Sequence, residues 1–290
     1  QILLSTDKGN DKPPPISILS SKKLTLNILS HVKIDLPSLM TACTSLTGLY
    51  ISSITSLKPL QNEFKLAASL KKLQIKSPVN NDGEMSEFLQ HLHKAMDQVI
   101  CLKELSLSSD FIGSVSMYRL GQITQLPAIK ENIKIFALEI ETQKIFRKSQ
   151  KEKSEKKMIY ENMFKDLTNV LMNLKKLENL ELKFDHYSQK PMQYLDKAIV
   201  ACPRLKCLWL NMKLEGDFKE TEFKFPFEKM GNLRQLSLNF GVALPKSSKQ
   251  KFIQKIHMLE KLTELRILSC CFDEPLLMKE LEKMSTLEKV

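Results

Sequence analysis

One short apolar pattern, L-x-x-L-x-L, recurs along this chain and strongly restricts what it can fold into. The spacing between successive copies ranges from 24 to 42 residues. Such a period is typical of a repeat solenoid, in which each unit buries its apolar face against its neighbours. The copies begin at Leu46, Leu70, Leu102, Ile135, Leu177, Leu205, Leu233 and Leu262, and a truncated copy begins at Leu287.

The alternation inside each copy predicts a short strand. Positions 4 and 6 point to one side of that strand, while positions 3, 5 and 7 point to the other. Between copies, apolar residues recur at helical spacing, as in Met85, Phe88 and Leu92. Each unit therefore reads as strand, turn, helix and return. This order predicts an α/β fold with a parallel inner sheet and outer helices.

The segment ACPRLKCLWL, which begins at Ala201, places a cysteine just before a strand. With the repeats, it resembles the leucine-rich repeat family in its ribonuclease-inhibitor-like subtype, from about residue 20 to residue 290. The resemblance implies a leucine-rich repeat solenoid (horseshoe) with a parallel inner sheet and outer helices. The family's Asn or Cys at position 9 is kept at Cys270 but not at Ile54 or Pro78. We therefore expect irregular repeats whose backbone polar groups are satisfied by other means.

The ends and one insertion depart from the repeats. Residues 1–16 contain Pro13, Pro14 and Pro15 and are predicted to form a flexible tail or linker. Residues 17–290 form the predicted repeat domain, with a degenerate early unit that contains Leu24 and Leu26. A charged insertion near 141–157 is expected to form a solvated loop or an extended helix start. We interpret the chain as part of a longer protein.

The sequence carries no catalytic signature, and we predict no enzyme activity, no cofactor and no metal. Walker, G-x-G-x-x-G, G-x-S-x-G and H-E-x-x-H motifs are absent. The six cysteines contain no C-x-x-C and are expected to be reduced. His91 and His93 are two residues apart on a predicted helix, so they do not share a face for metal binding.

The net charge of +11 comes from 39 lysines and only 5 arginines against 33 acidic residues. On the predicted concave face, positions 3, 5 and 7 hold four cations and five carboxylates. The excess positive charge is therefore expected on helices, loops and the insertion. Nucleic acid is a possible partner, but its phosphates need clustered cations, so it is not expected on the concave face.

Two groups of residues are candidate contact sites for a protein partner. Trp209, the single tryptophan, is predicted to point outward, where such residues often anchor interfaces. Phe184, Met212 and Phe240 fall at position 8 and are expected in the core. The predicted concave-face site comprises Trp209, Tyr50, Asn211, Gln235, Asn239 and Arg266, and a possible basic contact arm comprises Lys144, Arg147, Lys148, Lys151 and Lys153.

These features favour a non-enzymatic protein-interaction scaffold in a larger intracellular, cytoplasmic assembly. No apolar stretch is long enough for a membrane span, and no N-x-Ser/Thr sequon occurs. Three alternatives stay open. One is the substrate-recognition arm of an F-box-type ubiquitin ligase, which the cysteine before the strand suggests. Another is a basic convex surface that docks on an acidic partner such as nucleic acid or a tubulin-like protein. The third is a repeat domain attached to an enzyme such as a kinase.

Overall fold

Parallel strands recur through the part of the chain that the computed structural model describes, and from residue 72 onward a helical segment lies between each strand and the next. The chain divides into two units, residues 1–136 and residues 137–290. The predicted tail lies outside the described residues, and so does the start of the insertion. The described residues are 23–27, 45–52, 66, 68–77, 81–110, 112–140, 150–187, 192–214, 225–239, 246–268 and 274–290.

Among its described residues, unit 1 contains four parallel strands and begins a fifth. Its strands pair in chain order and in register, so that Leu24 of the degenerate early unit lies beside Leu49, which lies beside Leu73. The early unit is therefore confirmed. The elements are β1 Lys23–Asn27, β2 Gly48–Ser52, β3 Lys72–Ser77, α1 Asp82–Ala95, β4 Glu104–Ser109, α2 Ser114–Gln125 and α3 Pro127–Lys130.

Unit 2 repeats the same order of strand and helix. Strand β5, Ile135–Ile140, crosses the boundary between the units. Strands β6 to β9 pair parallel in chain order, and Lys289 of the truncated copy forms a bridge to Glu264. The further elements are α4 Gln150–Asn173, β6 Asn179–Tyr187, α5 Met192–Val200, β7 Cys207–Leu214, a 3-10 turn Phe227–Lys229, β8 Gln235–Asn239, α6 Lys246–Ile256, β9 Glu264–Leu268 and α7 Glu274–Leu281.

The repeated leucines form the core of both units. Leu102, Leu105 and Leu107, at positions 1, 4 and 6 of one copy, are all buried, and Leu233, Leu236 and Leu238 repeat the arrangement. Burying one such side chain stabilises the fold by about 1.5–3 kcal/mol. The helical apolar residues Met85, Phe88 and Leu92 are buried as predicted. With parallel pairing in every described unit, the fold is that of an α/β leucine-rich repeat solenoid.

One copy of the pattern begins two residues earlier than the sequence suggested. Ile133, not Ile135, is the fully buried first position, and Phe136 and Leu138 take positions 4 and 6. The hydrogen bond from Lys134 N to Lys103 O, of 2.8 Å, fixes this register. A shift of two residues keeps the same side chains inward, so the sequence pattern could not distinguish the two registers. Glu141 therefore leaves the predicted outward set, which now holds four cations and four carboxylates.

At the entrance to a strand, two successive N–H groups donate to one carbonyl oxygen of the repeat before it. The N–H groups of Lys103 and Glu104 both donate to Lys71 O, at 2.8 and 3.0 Å. In unit 2, Lys206 and Cys207 donate in the same way to Glu178 O, at 2.7 and 3.0 Å. Because these bonds cross between repeats, no single repeat can satisfy its own backbone.

A second set of cross-repeat bonds comes from the residue just before position 1, which we call position 0. Ser69 Oγ donates to Leu46 O at 2.8 Å, and Thr286 Oγ1 donates to Leu262 O at 2.9 Å. The amide of Asn232 donates to Pro203 O at 3.0 Å. These side chains satisfy backbone carbonyls at the strand entrance, where the leucine pattern alone predicts no capping residue.

Helix α2 is capped by a side chain of the preceding helix. Asp82, at the start of α1, accepts hydrogen bonds from the backbone N–H groups of Gly113, Val115 and Ser116, at 2.9, 3.0 and 3.1 Å. Its carboxylate also accepts from the Ser116 hydroxyl. A Cβ on Gly113 would lie 2.5 Å from Asp82 Cγ, so only glycine lets the carboxylate approach this closely.

We predict that Asp82→Ala and Gly113→Ala each lower the free energy of unfolding by about 1–2 kcal/mol. The first variant leaves helix-terminal N–H groups without an acceptor, and the second pushes the acceptor away. The double variant should lose less stability than the sum of the two single losses. The Cβ of an alanine at position 113 would clash with the Asp82 carboxylate, which the double variant lacks. Urea denaturation of the four proteins measures this coupling.

Gly231→Ala is the matched control for the glycine change, because a Cβ there would meet no atom within 4 Å. It should leave the unfolding midpoint close to that of the wild type. Strictly additive effects of the Asp82 and Gly113 changes would contradict the inter-repeat cap.

Asp196 is a partly buried carboxyl on α5. Its Oδ1 atom is buried and has no hydrogen-bond partner among the described residues. Its neighbours on the helix, Leu195 and Ala198, belong to the core. Burial raises the pKa of Asp196 from 3.8 to about 7, because the charged form loses hydration that nothing replaces.

We predict that Asp196→Asn flattens the pH dependence of stability. The folded-state pKa lies above the unfolded value, so the carboxyl contributes stability fully below pH 3.8 and loses it as the pH rises through about 7. Between about pH 5 and pH 8 the free energy of unfolding of the wild type should fall by up to about 3 kcal/mol, and that of the variant should not show this fall. Urea unfolding at both pH values measures the difference, and the exposed Asp97→Asn serves as control. Equal slopes in wild type and Asp196→Asn would refute the assignment.

Candidate interaction face

Side chains at positions 3, 5 and 7 form the face of each sheet that points away from the buried leucines, which we call the open face. In unit 2 the strand register sets these side chains in rows that run across the strands. The row at position 5 contains Glu181, Trp209, Ser237 and Arg266. The rows on either side are Asn179, Cys207, Gln235 and Glu264, and Lys183, Asn211, Asn239 and Leu268.

Trp209 lies near the centre of this grid and is 45% exposed. Its indole N–H meets no acceptor among the described residues. On one side its neighbour is the small Ser237, so the ring is not covered by a large side chain there. Along its own strand the neighbours on the same face are Cys207 and Asn211. Its neighbour on β6 is Glu181, so the aromatic surface lies among polar side chains that include one carboxylate.

The grid is neutral in its middle and charged at its flanks. On the β6 side, Lys183 forms an ion pair with Glu139 of β5. Partial burial first, and the Glu139 carboxylate second, raise the pKa of the neighbouring Glu181. On the β9 side, Arg266 pairs with Glu264 at 2.6 Å. The charges at both flanks are largely paired within the sheet.

The structure brings together five of the six residues predicted for the concave-face site. Trp209, Asn211, Gln235, Asn239 and Arg266 all lie on the open face of unit 2. The thiol of Cys207 donates to Gln235 Oε1 at 3.2 Å, which links two of the strands. Asn239 makes interactions within the protein as well.

Tyr50 does not join this group, because it lies on β2 in unit 1. Its neighbours on the adjacent strands are Thr25 and Gln74. Gln74 in turn donates to Glu104 Oε1 at 3.4 Å. The prediction that Tyr50 contacts a partner therefore concerns unit 1 separately.

The basic contact arm is only partly within the described residues. Lys144, Arg147 and Lys148 lie outside them. Lys151 and Lys153 lie in the first turns of α4, which begins at Gln150. Of the two expectations for the insertion, an extended helix start is therefore found from Gln150 onward.

The aromatic and sulfur residues at position 8 belong to the core, as the alternation predicted. Phe184 and Met212 are buried, and the Phe184 ring packs edge-on against Phe164 with centroids 4.9 Å apart. Phe240 lies outside the described residues. Of the cysteines that the structure describes, Cys202 is buried, and burial raises its pKa to about 12, whereas Cys101 and Cys207 are half-buried.

The described residues offer little room for a small molecule. A cavity of about 10 Å³ in unit 1, lined by Ile51, Leu73, Phe88 and Leu92 among others, could hold at most one water. Within the described ranges, no three His, Cys, Asp or Glu side chains are placed to hold a metal ion. Over the same ranges, no helix is both long and apolar enough to cross a bilayer.

A basic strip at the entrance to the strands was not singled out by the sequence pattern. In unit 2, position 0 carries Arg204 and position 2 carries Lys206 and Arg234, all exposed. In unit 1, position 2 carries Lys71, Lys103 and Lys134, which are exposed too. Part of the excess positive charge therefore lies in the turns before the strands, which agrees with the expectation that it lies off the sheet face. Aligning the positions flanking the leucines would have found this strip.

Comparison with known proteins finds solved structures that resemble this chain but no match to its sequence. No protein-family model matches the chain, and no curated protein matches it. An internalin (InlF) from Listeria monocytogenes aligns over 94% of this chain and 68% of its own, with 15% identity and a TM-score of 0.45. The TLR13 chain of a TLR13–ssRNA13 complex aligns over 91% of this chain and 38% of its own, with 16% identity and a TM-score of 0.41.

A leucine-rich repeat protein of Leptospira interrogans aligns over 89% of this chain and 88% of its own, with 13% identity and a TM-score of 0.23. The present chain spans well under half of the TLR13 chain and about two thirds of the internalin. The leucine-rich repeat fold is assigned from the parallel register, the buried leucine rows and the cross-repeat hydrogen bonds of this chain itself.

Proposed function

We propose that this chain is a non-enzymatic protein-interaction scaffold and that a partner segment binds the open face of unit 2 around Trp209. The observation that carries the proposal is an exposed tryptophan near the centre of a sheet face whose two middle strands present uncharged side chains and whose flanking strands carry the charges. Tryptophan is enriched among the residues that contribute most to binding, since its large ring loses little conformational entropy on contact.

The chemistry of the grid indicates which kind of segment fits. Asn179, Asn211 and Gln235 can each donate and accept hydrogen bonds. The Trp209 ring supplies an apolar platform beside them. A neutral polar segment with one apolar side chain over Trp209 matches this surface. Strongly charged segments match it poorly, because the flanking charges are already paired with one another.

The rigidity of the sheet supports the proposal energetically. The strands are fixed by cross-repeat hydrogen bonds and by leucines that are almost fully buried. A preformed surface does not have to be ordered when the partner arrives, so less of the contact energy is lost.

We further infer that the chain is a subunit of a larger intracellular assembly and that its repeats are of the ribonuclease-inhibitor-like subtype. Support for the subtype comes from the 28- and 29-residue spacings after Leu177 and from the helices α5 and α6 between the strands. The F-box ligase arm stays a prediction of the sequence resemblance.

Trp209→Ala is predicted to weaken binding of a peptide partner by at least about tenfold, because removal of an interface anchor typically costs 2 kcal/mol or more. Peptides are first selected on the wild-type protein from a random displayed library, and their affinities are measured by calorimetry. Since Trp209 is the single tryptophan, its fluorescence should also shift to the blue and resist quenching when a peptide covers it.

Met172→Ala is the matched control, because Met172 is also 45% exposed but lies on α4 in the same unit. It should bind the selected peptides as the wild type does, and both variants should unfold at the wild-type temperature. Selected peptides that bind Trp209→Ala and the wild type equally would remove this face from the binding site.

A further inference from the structure

In three repeats of unit 2, those that begin at Leu177, Leu205 and Leu233, the entrance to the strands is a surface separate from the open face that holds five cations and one carboxylate. We call it the entry edge. In each of these repeats it consists of position 0, the residue before position 0, and position 2. In the repeats that begin at Leu177, Leu205 and Leu233, the charged residues of this edge are Lys175, Lys176, Glu178, Arg204, Lys206 and Arg234. Glu178 is the single carboxylate among them.

Backbone and side-chain contacts place these residues in two rows. At position 2, Arg234 N donates to Lys206 O and Lys206 N donates to Glu178 O, both at 2.7 Å. At position 0, Asn232 bonds to Pro203 O at 3.0 Å and accepts from Lys261 Nζ at 2.9 Å. Neighbouring strands are about 4.8 Å apart, so Lys206 and Arg234 are neighbours at position 2, and Lys176 and Arg204 hold position 0 of two adjacent repeats.

Within the three repeats of the entry edge, the single carboxylate is already neutralised. Glu178 pairs with Lys206 at 2.6 Å. Arg204 and Arg234 have no ion pair with any described residue, and both side chains are exposed. They are two of only five arginines in a chain that otherwise uses lysine almost exclusively for positive charge.

Folding stability does not account for this arrangement. Like charges on directly neighbouring strands lower stability, and Lys206 and Arg234 are such neighbours. The guanidinium group differs from the lysine ammonium in that it binds a carboxylate through two parallel hydrogen bonds. The position of the arginines therefore points to a negatively charged partner.

We propose that the entry edge of unit 2 binds an acidic protein segment, with Arg204 and Arg234 as the principal contacts to its Asp or Glu side chains. This surface differs from the open face and does not depend on Trp209. Lys175 and Lys176 extend the same strip toward β6 and would contact further carboxylates of the segment.

An acidic protein segment fits this edge better than nucleic acid does. Single-stranded nucleic acid is usually held by bases stacked on aromatic rings, and the described residues at these positions of unit 2 include no aromatic side chain. Duplex binding draws much of its affinity from neutralised phosphates, and this edge offers only five cations, one of which is already paired with Glu178. The carboxylates of one acidic protein segment lie a few ångströms apart, so the local cluster of cations at the entry edge is enough to bind them.

The test uses a fluorescent poly-glutamate peptide and an oligothymidylate of equal net charge, each titrated into the full chain. Fluorescence anisotropy at about 0.05 M and about 0.3 M salt should show peptide binding that weakens with salt. The double variant Arg204→Glu, Arg234→Glu should bind the peptide at least about tenfold more weakly than the wild type. The control Lys165→Glu, Lys251→Glu makes the same charge change on exposed residues of α4 and α6 and should bind within about twofold of the wild type.

Each other outcome has a definite meaning. Equal losses in the two double variants would overturn the proposal in favour of general charge attraction. Tighter binding of the oligothymidylate than of the peptide would overturn it in favour of nucleic acid, and no peptide binding at low salt would overturn it outright. Trp209→Ala should leave peptide affinity unchanged, so this result is independent of the open-face site. Circular dichroism of each variant checks that the fold is retained.

Discussion

Within each unit, the described repeats from Leu70 to Ile133 and from Leu205 to Leu287 depend on the carbonyl oxygen at position 2 of the repeat before them. Two successive N–H groups bond to that oxygen, as Lys103 and Glu104 do to Lys71 O. This pair of hydrogen bonds fixes the start of the strand, and the buried leucines then fix which face turns inward. Because the register is set anew at every repeat, insertions between strands are tolerated, and the spacing can vary from 24 residues upward without disturbing the pairing.

The same constraint explains where side chains of different repeats meet. Short polar residues at position 0 donate to carbonyls of the preceding repeat, as Ser69, Asn232 and Thr286 do. Asp82 uses a similar proximity to cap the helix of the following repeat, and Gly113 provides the space. Stability is therefore shared between neighbouring units, and a change in one repeat is felt in the next.

Both proposed contact surfaces follow from the regular alignment of neighbouring repeats. Residues at equal positions of successive repeats form rows, so one residue of a given charge or polarity in each repeat is enough to give a surface that charge or polarity. On the open face of unit 2 the rows place short amides around Trp209. At the entry edge they place Arg234 beside Lys206. The two surfaces differ in chemistry, neutral in one case and basic in the other, which suits two different partner segments.

The sequence by itself determined the fold class, the strands, the inward leucines and the core placement of Phe184 and Met212, because those follow from a local period of two and from burial. It also placed Trp209 outward. It could not determine the register at Ile133, since a shift of two residues leaves the inward face unchanged. Nor could it show the Asp82 cap, the separation of Tyr50 from the other site residues or the basic entry edge. Those depend on which residues of different repeats become neighbours, and only the pairing of strands across the chain decides that.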